Sequence, residues 1–254
     1  MIIAVINQKG GVGKTTTAVN LSAAFAESEQ KVLLVDLDAQ CNASALCGVR
    51  KPTASVFDTL IDASTDPIES VIVTTKIKNL DLVPGHRALA GLESALRDVM
   101  GREAILAEIL TPLLDRYDKI LIDNGPTLSL GPAMSLYAAH MALVPVQCQP
   151  LALDGLEQVT KSIQLAKQRL NPRLSRHILL TMLDGRKSHG KDIVAHVQKM
   201  FGQEVFATII PSSAELERGV LKGGSVLTYA SQSPAAAAYR ALALEILHAQ
   251  KEAS

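Results

Sequence analysis

Short aliphatic and β-branched runs punctuate the chain, and helical periodicities fill the intervals between them. The runs are residues 2–6 (IIAVI), 32–35 (VLLV), 119–123 (KILID), 141–146 (MALVPV), 177–183 (HILLTML) and 205–210 (VFATII). Runs that are apolar on both faces predict strands covered on either side. From 102 to 117, Ile105, Leu106, Ile109, Leu110, Leu113 and Leu114 fall on one face at i, i+3 and i+4 spacing, and 152–170 behaves similarly. Strands alternating with helices predict an α/β fold: a single doubly wound, mostly parallel sheet with helices on both faces. No internal repeat or low-complexity linker interrupts the pattern. Pro52 and the DASTDP stretch at 62–67 read as loops inside one domain spanning 1–254.

Composition narrows the function. The chain has 254 residues, 48% of them hydrophobic, enough for a large core. Lys plus Arg (25) equals Asp plus Glu (25), which excludes a uniformly basic nucleic-acid coat and makes any anion-binding surface a local patch. Cys41, Cys47 and Cys148 form no CxxC and leave an odd count, so neither a disulfide scaffold nor a zinc knuckle is expected. Each reads as a small buried apolar side chain.

Residues 2–6 are too short for a signal-peptide core and run straight into Asn7-Gln8-Lys9. The stretch 124–153 lacks Asp, Glu, Lys and Arg, but Pro126, Pro132, Pro145 and Pro150 break it. Two buried elements with loops explain it better than one membrane helix. The C-terminal YRALALEILHAQKEAS is helical in pattern without the basic and aromatic faces of a membrane-surface anchor. A cytoplasmic chain is expected.

In an open α/β sheet, ligands sit at the carboxyl ends of strands. The first strand–helix junction reads MIIAVINQKGGVGKTTTAVNL. Gly10, Gly11 and Gly13, with Val12 between them, let backbone N–H groups turn towards phosphate, and the helix N-terminus adds its positive end. Lys14 supplies a point charge for the β- and γ-phosphates, the Thr15 hydroxyl is placed to ligate Mg²⁺, and Thr16 follows in the same turn. A dinucleotide fingerprint competes, with Asp36 at about the distance of a ribose-binding carboxylate. It requires glycine where Thr16 stands and leaves Lys14 and Thr15 unexplained, so phosphoryl chemistry is preferred.

A strict P-loop carries glycine at position 8, where this chain has Gln8 followed by Lys9. KGGVGKTT resembles the deviant Walker A box of the ParA/MinD family of P-loop ATPases, and the rest of the chain resembles that family, on its ParA/Soj side, almost to the end. The resemblance implies ATP and Mg²⁺ as cofactors and a role for Lys9 reaching the nucleotide of a second subunit, so that dimerisation depends on ATP. KVLLVDLDAQCNAS resembles switch I. It implies Asp38 as the residue orienting the attacking water and Asp36 as a support for magnesium through water, with Ala39 and Cys41 where Pro and Gly are usual. YDKILIDNGPTL resembles the Walker B strand and switch II, implying Asp123 at the metal's water shell. Asn124-Gly125-Pro126 departs from the usual D-C-P-P. The cluster-ligating cysteines of iron–sulfur relatives are missing, which sets electron transfer aside. The segments 142–159, 179–197 and 206–211 resemble later family elements and imply Pro211 and Ser213 beside the base.

Charge is uneven beneath the zero total. Between Lys161 and Lys191 stand Lys161, Lys167, Arg169, Arg173, Arg176, Arg186, Lys187 and Lys191 against Asp184 alone, a net +7 that the remaining chain balances. In ParA-like dimers the corresponding half helps form a non-specific DNA-binding face. That implies contacts from Arg186, Lys187 and Lys191, with Arg218 and Lys222 partly replacing the arginines usual after Pro211. No aromatic residue interleaves the cluster, which speaks against single-strand stacking. The resemblance therefore implies a nucleotide-switched homodimer that binds double-stranded DNA non-specifically. An adaptor of ParB type, or a cargo adaptor, would stimulate slow hydrolysis to position a plasmid, a chromosome origin or a protein assembly. Nucleoid association in the ATP state follows, and operator-specific autorepression is not expected, because no helix-turn-helix extension precedes the P-loop. A MinD-like membrane-cycling ATPase and an ATP-switched scaffold with little hydrolysis are the alternatives.

Overall fold

The apolar runs become neighbours in one seven-stranded sheet. A computed structural model describes residues 1–127, 129–149, 152–186 and 188–253, with backbone alone for 152–154, 188–189, 220–221 and 251–253. The strands are β1 (Ile2–Val5), β2 (Val32–Leu37), β3 (Val73–Thr74), β4 (Leu80–Val83), β5 (Lys119–Asn124), β6 (Met141–Gln147) and β7 (Ser175–Thr181). Their order is β3-β4-β2-β5-β1-β6-β7, parallel throughout except for β3 at the edge. This is the expected mostly parallel α/β arrangement.

Strand periodicity divides the core in two. Ile3 and Val5 of β1, Val32 and Leu34 of β2 and Leu121 of β5 face one side, with Phe25, Tyr239 and Leu242. The helices Lys14–Glu27 and Pro234–Ala253 cover that side. Ile2 and Ala4, Leu33 and Val35, and Ile120 and Ile122 face the other, beneath Leu106, Leu110, Met134, Leu156 and Ile163. Successive side chains of a strand point to opposite faces, so a run buried on both sides must be apolar at nearly every position.

Three local expectations are corrected. Residues 205–210 do not form a strand; one isolated bridge joins Ile178 of β7 to Val205, and another joins Leu183, just past β7, to Pro211. The amides of Ala207 and Thr208 donate instead to the Glu245 carboxylate of the C-terminal helix (2.7 and 3.0 Å), which diverts the backbone from a sheet ladder. The periodic stretch 102–117 is a helix only over Ile105–Leu110 and continues as a 3₁₀ segment, Thr111–Asp115. Pro112 lacks an N–H and crowds the carbonyl four residues back, so the α-helical ladder stops there. The pattern also missed β3 and β4. Asp81 interrupts the apolar run of β4, where its carboxylate accepts from the Tyr117 hydroxyl (2.8 Å).

The uncharged stretch resolves into a helix, Leu130–Ala138, and β6. Among the described residues no helix is long and apolar enough to cross a membrane. All three cysteines are free: Cys148 is buried, while Cys41 and Cys47 are partly exposed, unlike the fully buried expectation.

Candidate functional site

The loop after β1 is clamped to two other strands. The Asn7 side-chain amide donates to the Pro145 carbonyl of β6 (2.8 Å), while its oxygen accepts from the Lys9 N–H (2.9 Å). The Thr181 hydroxyl of β7 donates to the Val12 carbonyl (3.0 Å). Gly11 and Gly13 take left-handed conformations (φ 75° and 91°), and Gly13 caps the helix that begins at Lys14. Side chains are strained at such φ values, which is why glycine stands there. Gly10 and Gly11 lie exposed at the mouth.

Lys14 is only 8% exposed, and its ammonium donates to the Lys9 carbonyl (3.2 Å). Burial lowers its pKa, against the raising influence of Asp123 and Asp38. Thr15 and Thr16 are half-buried in the first helical turn. The Lys9 side chain lies along Gly155 of the helix Ala152–Arg169; a Cβ there would stand 3.7 Å from the Lys9 Cβ.

Strand register supplies the carboxylates. Asp36 of β2 stands opposite Asp123 of β5, at the same carboxyl edge of the sheet as the glycine loop. Asp123 is fully buried, and neither of its oxygens accepts a hydrogen bond of ordinary geometry. Burial first, then the Asp36 and Asp38 charges, raise its pKa well above the carboxylate range, while Thr15 and Lys14 oppose them. Buried anionic oxygens with unspent lone pairs beside a hydroxyl suit a hard divalent cation. No group of three or more His, Cys, Asp or Glu among the described residues is disposed to hold a metal alone. The donors therefore fit a cation that shares its shell with phosphate oxygens, as Mg²⁺ does.

The other two carboxylates are held by the backbone that follows them. The Ser44 N–H and hydroxyl both donate to Asp36 (2.8 and 2.6 Å), and the Asp38 N–H donates to its second oxygen (3.2 Å). Burial still outweighs these bonds and pushes Asp36 up to about 6. Ser44 also accepts from the Gly85 N–H (3.0 Å), tying the segment after β2 to the end of β4. Asp38 accepts from the Gln40 N–H (3.0 Å) and packs on Gly125, where a Cβ would approach its oxygen to 3.1 Å. Cys41 occupies a left-handed position (φ 53°). Burial, with Asp36 and Asp38, pushes its thiol up to about 11 against the opposing charge of Arg87. Asn124 is buried, donating to the Val5 and Ile122 carbonyls (3.2 and 3.3 Å) and accepting from the Ser135 hydroxyl (2.7 Å).

A cavity of about 390 Å³ opens from Gly13 and Thr16. Pro211 and Ser213 line it, as do Cys148, Met182, Asp184 and Leu216, which the sequence reading did not select as site residues. Met182 carries a signal that only coordinates reveal, a left-handed φ of 55°. It packs against Gly13, where a Cβ would lie 3.6 Å from the Met182 methyl.

The basic segment is partly neutralised. Lys161 pairs with Glu157 (2.7 Å), Arg176 with Glu204 (2.5 Å) and Arg186 with Asp184 (2.9 Å), and two of those carboxylates fall outside the counted window. Arg186 is thereby tied to a residue of the cavity wall. Lys191 is exposed on the helix Ser188–Phe201, and Arg218 and Lys222 on the helix Ala214–Lys222. Lys187 lies outside the described residues.

Known proteins share this architecture. The family model described as an AAA domain matches residues 1–176. Soj of Bacillus subtilis (strain 168), a sporulation initiation inhibitor protein, is 40% identical over 248 residues, covering 96% of this chain and 97% of its own. The chromosome partitioning protein ParA of Myxococcus xanthus (strain DK1622) is 39% identical over 249 residues, 97% of this chain and 87% of that one. A solved structure named as cobyrinic acid a,c-diamide synthase from Mycobacterium smegmatis, with bound ADP and magnesium, superposes with a TM-score of 0.87 at 33% identity, covering 100% of this chain and 96% of its own. On sequence, fold and loop geometry together, this chain belongs to the ParA/MinD family of P-loop ATPases, on its ParA/Soj side.

Proposed function

We propose that the chain is a Mg²⁺-dependent ATPase of the positioning type, whose ATP-bound form pairs with a second copy and holds double-stranded DNA without sequence preference. One observation carries the reading: the glycine loop, Lys14, Asp38 and Asp123 converge at one edge of the sheet, beside a cavity that ends at Pro211 and Ser213. Lys14 and the loop N–H groups bind the phosphates. Thr15 and Asp123, with Asp36 behind them, would hold the water and hydroxyl shell of a Mg²⁺ ion, which would supply charge neutralisation at the phosphates. Asp38 orients the attacking water. Lys9 reaches the partner's nucleotide and makes pairing depend on ATP.

Lys191, Arg218 and Lys222 are exposed cations available to duplex phosphates, and Arg186 contributes only if it exchanges its pairing with Asp184. Turnover is slow until an adaptor of ParB type stimulates it, and release from DNA follows, so that a cargo moves or is spaced along the nucleoid. The names borne by ParA and Soj relatives support this over other P-loop chemistry.

The deciding test is binding to a random-sequence duplex with ATP and Mg²⁺, and with ADP, across a salt series. Binding confined to ATP and weakening steeply with salt is expected. An ATP dimer that binds no duplex would remove DNA from the reading. Turnover that survives Asp38→Ala would remove Asp38 from catalysis.

A further inference from the structure

A second cavity, of about 530 Å³, is lined by the segment after β2 and the end of β4 and shares no lining residue with the cavity beside the glycine loop. Arg50, Lys51, His86 and Arg87 line it, and no carboxylate does. Each of the four is exposed, and among the described residues none of Arg50, Lys51 and Arg87 takes part in a salt bridge. Elsewhere on this neutral chain, Lys78, Lys161, Arg176, Arg186 and Arg240 each have a carboxylate partner. The buried carboxylates of Asp36 and Asp38 lie behind the lining residues Cys41 and Ser44, while the three exposed cations at the rim have no salt-bridge partner among the described residues, and a bound anion would relieve their mutual repulsion.

We propose that this cavity binds a small polyphosphate-bearing anion. Its volume is that of a small-molecule site, and its concavity suits a compact ligand better than the rod of a duplex. Two guanidinium groups offer paired donors to phosphate oxygens, with Lys51 as a point charge. The cavity floor includes Gln40 and Cys41, whose N–H groups donate to the Asp38 carboxylate (3.0 Å) and the Asp38 carbonyl (2.9 Å). An anion seated there braces the turn that orients Asp38, so occupancy adjusts hydrolysis; this second clause rests on the catalytic role proposed above, and the binding itself does not.

The test titrates metal-free inorganic tripolyphosphate into the wild-type chain, into Lys14→Ala and into Arg50→Ala/Arg87→Ala, by calorimetry. Two binding events are expected in the wild type. Lys14→Ala should remove one, and the arginine pair should weaken the other about tenfold or more. Lys51→Glu gives a second variant for the same event. Arg50, Lys51 and Arg87 are exposed, so in their variants the melting temperature should stay near that of the wild type. If the glycine loop does not bind phosphate, only the arginine-sensitive event remains. A single event, abolished by Lys14→Ala and indifferent to Arg50, Lys51 and Arg87, would overturn the proposal. So would an arginine pair that weakens duplex binding while leaving tripolyphosphate binding intact. Amide exchange at residues 40 and 41 should slow on saturation; unchanged exchange would overturn the link to Asp38.

Discussion

Asp36 and Asp123 are direct partners across the β2–β5 ladder, so two carboxylates share one buried edge of the sheet. Both have pKa values raised first by burial, and the Asp36 charge raises that of Asp123 further; Asp36 reaches about 6. The native chain therefore binds protons more tightly than the unfolded chain between about pH 4 and pH 6. By linkage, these two groups cost stability as pH rises through that window. Asp123→Asn removes one of the charges. Relative to the wild type, the variant should gain stability on going from pH 4.5 to pH 7.5 in the absence of nucleotide and metal. Urea unfolding at the two pH values measures it; a difference that does not change with pH would refute the shared burial of charge.

Gly125 packs tightly on Asp38: a Cβ there would meet its oxygen at 3.1 Å and its carboxyl carbon at 3.4 Å. Gly125→Ala should shift the carboxylate by a few tenths of an ångström and, on the role proposed for Asp38, lower ATP turnover about tenfold or more, since water positioning tolerates little displacement. ADP affinity should be unchanged. Single-turnover kinetics alongside nucleotide binding separate the two.

Ser44 satisfies two buried groups with one hydroxyl, donating to Asp36 and accepting from the Gly85 N–H. Ser44→Ala leaves that N–H without its acceptor and takes a donor from a buried carboxylate. A loss of about 2–3 kcal/mol is expected at neutral pH. The loss should shrink below pH 5, where Asp36 is protonated in the folded chain, and thermal melts at both pH values check this.

Asn20 joins the glycine-loop helix to the C-terminal part of the chain. Its side-chain oxygen accepts from the Ser225 hydroxyl and the Val226 N–H (2.8 and 2.7 Å), and its amide donates to the Thr16 carbonyl (2.7 Å). Asn20→Ala should cost about 2–4 kcal/mol, because a buried N–H and hydroxyl lose their partner. For a chain of this size that lowers the melting midpoint by roughly 5–15 °C. Asn20→Asp, which keeps the acceptor, should recover part of the loss.

Much of the frame was legible in order along the chain. Five of the six apolar runs are strands, displaced by one or two residues, because a strand covered on both faces has no polar positions to blur it. The glycine turn and the start of its helix were legible, since the left-handed conformations of Gly11 and Gly13 and the helix beginning at Lys14 follow from local backbone preference and spacing. The sixth run failed as a strand because Glu245, far along the chain, captures its amides. Met182 and Cys148 escaped notice as cavity residues because they carry no local motif and reach the cavity only through the ends of β7 and β6.

The sequence by itself determined that a phosphate-binding loop follows the first strand and that acidic residues end two others. Those are properties of contiguous residues, fixed by φ preferences, spacing and hydrophobic period. Only the tertiary structure decided which acids meet. The strand order β4-β2-β5-β1 sets Asp36 beside Asp123 and closes Gly125 on Asp38, and it lets Ser44 bridge β2 to β4. It also showed that part of the +7 segment is neutralised by Glu157 and Glu204 from outside it. Pairings between residues tens of positions apart depend on which strands lie adjacent and in what register, and burial then turns that adjacency into shifted pKa values and unspent lone pairs.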